Sequence, residues 1–151
     1  MLQINLLRQT RENFNKLVRA FSLEQLNQIP EGFSNNLIWN FGHAIITQHL
    51  LTYGLAGLDM DLDEELLGRL RKGSKLDEEF TESDLEYLLE LSSSSLDRLE
   101  QDLDSGEFEF PNPYPTSYGF TINKIEDALE FDIAHEALHF GYAMAIRKAL
   151  K

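Results

Sequence analysis

The chain has 151 residues, 42% of them hydrophobic. That suits one domain over 1–151, able to bury roughly two-thirds of its unfolded surface and with no polar tract to form a disordered arm. With 26 acidic against 13 basic residues and a net charge of −13, it repels phosphate backbones and anionic headgroups, so neither nucleic acid nor a membrane is expected as partner; having no cysteine, it must hold any metal on imidazole and oxygen.

From Leu2 to about Leu26, apolar residues at Leu6, Leu7, Phe14, Leu17, Val18 and Phe21 recur three or four apart, the period of one buried helical face. Arg8, Arg11 and Glu12 interrupt any signal-peptide core there. No run of about 18 apolar residues follows, and a cytoplasmic location is expected. Pro30 and Gly32 punctuate the end of this helix. Ser34 or Asn35 is expected to cap a second helix running to about Leu55, since a short polar side chain accepts from the free amides of a first turn. Its residues Leu37, Ile38, Trp39, Phe41, Ile45, Ile46, Leu50, Leu51 and Tyr53 are apolar on more than one face, as in a central helix or a subunit contact. The apolar surface at Ile38, Phe41, Ile45 and Leu51 leads to the expectation of a symmetric homodimer through this helix or a neighbour.

Within the acidic stretch Asp59 to Lys75, Glu64 to Arg71 suits a short extra helix. Thr81 with Asp84 three residues on forms a capping box that opens a third long helix, to about Leu103, with Leu85, Leu88, Leu89, Leu96 and Leu99 inward. Ser92 to Ser95 break that apolar face where the helix passes something crowded or polar. Pro111, Pro113 and Pro115 make Gly106 to Phe120 a semi-extended crossover, long enough to run the length of a bundle. Asn123 with Glu126 opens the last helix, to about Lys148, whose inward set is Ile125, Leu129, Ile133, Leu138, Tyr142 and Ile146. No stretch keeps a strand period. The reading is all-α, a four-helix bundle with a long proline-rich crossover before the last helix.

All four histidines fall inside these helices. His135 and His139 stand one turn apart on one face, a chelating geometry that needs a third ligand from a facing helix. His43 shares the stripe of Trp39, Ile46 and Leu50 and points inward, whereas His49 lies roughly 120° around the helix. His49 therefore reads as a hydrogen-bonded core residue. Asp132 shares the stripe of His135 and His139, as a further ligand or as the group that orients an imidazole.

Residues 135–139 read His-Glu-Ala-Leu-His, the helical motif of zinc proteases with a glutamate base. Here no histidine, aspartate or glutamate follows His139 to supply a third ligand. Gly141 is misplaced for the longer form of the motif, and no strand edge is present to hold a peptide. Glu136 points about 100° from His135, which suits packing against a neighbouring helix or subunit better than catalysis.

Asn36-Leu37-Ile38-Trp39-Asn40-Phe41-Gly42-His43 together with His135-Glu136-Ala137-Leu138-His139-Phe140-Gly141 resembles the DinB-like superfamily (the DinB/YfiT type), over essentially the whole chain. The resemblance implies an up-up-down-down bundle, usually dimeric, with one divalent metal ion on three histidines at one end. Here those would be His43, His135 and His139. Zinc or nickel is the expected ion, with iron or others suiting imidazole as well. The resemblance further implies a metal-dependent transferase or isomerase using a low-molecular-weight thiol. The residues themselves admit hydrolysis equally, a metal-binding role without catalysis, or a helical module that binds a partner protein. Tyr114, Thr116, Ser117 and Tyr118 on the crossover are candidate substrate contacts. With no cysteine, and no serine or threonine paired to a free histidine, no covalent protein nucleophile is expected.

Overall fold

The computed structural model describes residues 1–150. Its helices are α1 (Leu2–Arg19), α2 (Leu23–Asn27), α3 (Leu37–His49), α4 (Glu64–Leu70), α5 (Glu82–Leu103) and α6 (Ile125–Ala149). The only strands among the described residues are β1 (Tyr114–Pro115) and β2 (Thr121–Ile122), paired antiparallel with Tyr114 opposite Ile122. The class is all-α, and no helix among the described residues is long and apolar enough to cross a membrane.

Local chemistry sets the boundaries. The first helix is shorter than its apolar period, because Ser22 and Gln25 form a capping box that restarts the chain as α2. α3 is capped by Asn36, whose side chain accepts from the Trp39 amide at 2.9 Å, one residue past the expected Ser34 or Asn35. It continues into a π-helical turn, Leu50–Gly54. Thr81 and Asp84 make the expected capping box on α5. α6 lacks the expected Asn123 cap; instead the Asn123 amide donates to the Asp127 carboxylate at 2.9 Å.

α1 packs on α5 and α6, and α3 on the same two, so the long helices close a ring. Two layers of side chains show their directions. Phe14 and Leu17 of α1 share one cluster with Leu37 to Ile46 of α3, Leu88 of α5 and Ile146 of α6. Ile4 and Leu7 share the other with Tyr53, Leu96, Leu99 and Leu129. α1 and α6 therefore run one way, and α3 and α5 the other. This corrects the up-up-down-down order: the short link from α1 to α3 turns the chain straight back on itself, as short helix connections do. The connection that runs the length of the core is the segment carrying α4, since Leu66 and Leu70 lie in the first cluster while Tyr53 lies in the second. The proline-rich crossover stays at one end, with Leu103, Phe108 and Ile125 in a single cluster.

Ile38, Phe41 and Ile45 are fully buried within the chain, and Leu51 nearly so. α3 is thus a central helix, and these residues leave no apolar surface for a subunit contact. Leu6, Leu138 and Tyr142, expected inward, face out. Ser92 and Ser95 do not break α5; they are buried where Arg11 crosses it, donating to the Ser92 carbonyl at 3.0 Å and to Ser95 Oγ at 3.3 Å.

Candidate metal centre

The Asn36 cap fixes where α3 begins and with it the phase that presents Trp39, Asn40 and His43 towards their partners. Gly42 lets the neighbouring element close in, because a β-carbon there would lie 2.7 Å from the Leu70 methyls. The Leu70 carbonyl consequently reaches His43, whose Nδ1–H donates to it at 2.7 Å. That bond assigns the tautomer and leaves Nε2 unprotonated, with Thr47 Oγ1 3.5 Å from it. The Trp39 ring stacks on His43 at 4.5 Å and 8°, and its indole N–H donates to Ser74 Oγ at 3.0 Å.

α6 supplies the other two imidazoles, with ring centres 4.5 Å apart. His139 Nδ1–H donates to Asn40 Oδ1 at 2.9 Å, again freeing Nε2. Asn40 is held for this by its own amide, which donates to the Asn36 carbonyl and to Asn35 Oδ1, both at 2.8 Å. His43, His135 and His139 each offer a ligating nitrogen within 4.8 Å of the others.

Electrostatics favour the ligating form. Burial, reinforced by His139, His43 and Lys72, pushes His135 down to about 3. Burial and His43 push His139 down to about 4, and burial lowers His43 as well. All three are neutral imidazoles at neutral pH, the state a metal requires. His135 Nδ1 is buried without a hydrogen-bond partner. Three converging neutral imidazoles, two of them oriented by fixed acceptors, fit a divalent transition-metal ion.

A cavity of about 440 Å³ opens onto His43 and His135. Its remaining wall is Thr47, Leu50, Leu51, Lys72, Phe131 and the hairpin residues Tyr114 to Ser117. Tyr118 is not part of that wall; it is 66% exposed with its ring 6.0 Å from Phe131.

The other sequence candidates lie elsewhere. His49 is buried, donates to the Ile45 carbonyl at 3.1 Å and has no part in the triad, as its phase required. Asp132 is fully buried beside Glu136, its ionised form having no hydrogen-bond donor to accept from, and it stands outside the triad too. Burial, then the neighbouring Glu136, hold its carboxyl well above the usual carboxylate range. Glu136 accepts from Arg11 Nε at 2.9 and 2.8 Å, so it is locked into an ion pair rather than poised as a base. Sequence reasoning missed Asn40 and Lys72. Asn40 had a signal, since it lies three residues before His43 on the same face; Lys72 had none.

A family model described as the DinB superfamily matches residues 6–143. No curated protein matches the chain.

Proposed function

This chain belongs to the DinB superfamily, and from that premise we propose that His43, His135 and His139 hold one divalent metal ion, zinc or nickel foremost, in a cytoplasmic transferase that joins a small thiol to a small electrophile. The observation that carries the reading is that two of the three imidazoles form part of the wall of a cavity instead of being sealed. A working metal site keeps a position open where a structural one is closed. When bound, such an ion makes a thiol or a water far more acidic than it is in solution.

The residues around it have separable tasks. The Leu70 carbonyl and Asn40 hold two imidazoles with their Nε2 atoms unprotonated. Trp39 limits rotation of His43 by stacking. Leu50, Leu51 and Phe131 give the cavity an apolar wall that thins out water. Thr47 Oγ1, 3.5 Å from His43 Nε2, is placed to meet a polar atom of the substrate. No cysteine is available to attack, and Glu136 is committed to Arg11, so no covalent protein intermediate forms. Hydrolysis would use the same residues with water in the thiol's place.

Elemental analysis of freshly purified protein, followed by turnover assays across a panel of thiols and electrophiles, tests the reading. About one ion per chain is expected, with turnover lost in His135→Ala and kept when any one serine is removed. Full activity after metal stripping, or a substrate fragment trapped on a serine, would sink it. We also propose a homodimer, on contacts other than the buried residues of α3. A monomer by sedimentation at micromolar concentration contradicts it.

A further inference from the structure

Of the chain's 151 residues 26 are acidic, yet the wall of the cavity beside the imidazoles contains no carboxylate. Its one lysine or arginine is Lys72, just beyond the end of α4. Among the described residues Lys72 enters no ion pair. Its ammonium donates to Ser117 Oγ at 2.9 Å, a contact that joins the hairpin loop to this side of the cavity. An ammonium has three donors, so two remain, and a serine that accepts through oxygen still has its own proton to give. Leu50, Leu51 and Phe131 provide apolar surface in the same cavity.

We propose that Lys72 and the Ser117 hydroxyl form an anion subsite in this cavity, and that the substrate is a small amphipathic molecule carrying a carboxylate, its apolar body against Leu50, Leu51 and Phe131. One ammonium and one hydroxyl match a single negative charge. A phosphate dianion generally gathers a guanidinium fork, and no arginine belongs to this wall. The inference rests on the reading of the cavity as the substrate site, but it concerns a different group from the metal ligands.

Titration of hexanoate and of its uncharged counterpart hexanamide into chelator-stripped protein, followed by calorimetry or amide shifts, tests it with no metal to attract the carboxylate. Hexanoate is expected to bind about fivefold more tightly, the scale of one exposed charge pair. Lys72→Gln should equalise the two ligands, Lys72→Arg should keep the preference, and Lys72→Gln should take up zinc in the wild-type ratio. Equal binding in the wild type, a preference that survives Lys72→Gln, or no hexanoate binding up to about 10 mM overturns the proposal. A wild type that prefers hexanoate yet takes up no zinc refutes the metal reading and leaves this one standing.

Discussion

Alanine at His43, His135 or His139 removes one of three ligating atoms, with no other histidine or carboxylate in the group to replace it. Zinc affinity, measured by chelator competition, should fall by about 100-fold or more, given that loss of an orienting partner alone costs roughly 10- to 100-fold. Asn40→Leu should fall within that smaller range, and His49→Ala should leave zinc affinity unchanged. His49 matters for stability instead. Burial pushes its pKa down to about 4. The unfolded imidazole takes a proton near 6.5, so between these values the unfolded chain binds more protons. The contribution is fully present above about pH 6.5 and lost as pH falls towards 4. Asp132 has the opposite sign: its raised pKa lets the folded chain keep a proton that the unfolded chain has released, so it weakens the fold as pH rises above its ordinary value. Urea denaturation of metal-free protein should show Asp132→Asn more stable than wild type near pH 8 and nearly equal to it near pH 4. The triad was legible in the sequence because helical phase alone separates His43 from His49. The task of Glu136 was not, since its partner Arg11 lies 125 residues away.

Arg11 joins three elements, leaving α1 to reach Glu136 on α6 and the Ser92 carbonyl on α5. Both charges are almost completely buried. Glu136→Ala should cost about 3–5 kcal/mol because it strands the guanidinium in the interior. Zinc stoichiometry should not change, which separates this role from that of a protease glutamate. The two glycines that stand one before His43 and two after His139 are not equivalent. Gly42 lies against Leu70 and Leu88, whereas a β-carbon at Gly141 would meet nothing within 4 Å. Gly42→Val should push α4 away, disturb the Leu70 carbonyl and lower zinc affinity about tenfold. Gly141→Ala should leave zinc binding intact and add about 0.5–1 kcal/mol of stability, read from the denaturation midpoint. The elements legible in the sequence were those written locally, such as the capping box at Thr81 and the apolar period of α5. The break between α1 and α2 was missed, because Ser22 and Gln25 sit inside a period that continues across them.

At the scale of the molecule, the all-α class could be read from periodicity, whereas the helix directions could not. Direction depends on which long connection spans the core, and α4 and the proline-rich hairpin both had the length for it. The order found makes α3 and α6 antiparallel neighbours, with the three imidazoles strung between them. The α3 and α6 imidazoles of this triad lie 92 residues apart along the chain, from His43 to His135 (135 − 43). An ion coordinated there is in effect a removable cross-link, one that closes a loop as a disulfide would but answers to chelators instead of reductants. Ion binding should raise the melting temperature by mass action, more at higher zinc concentration. Limited proteolysis should then run faster in chelator than in zinc. The difference should vanish in His135→Ala, so that lifetime in the presence of a protease becomes a measure of metal supply.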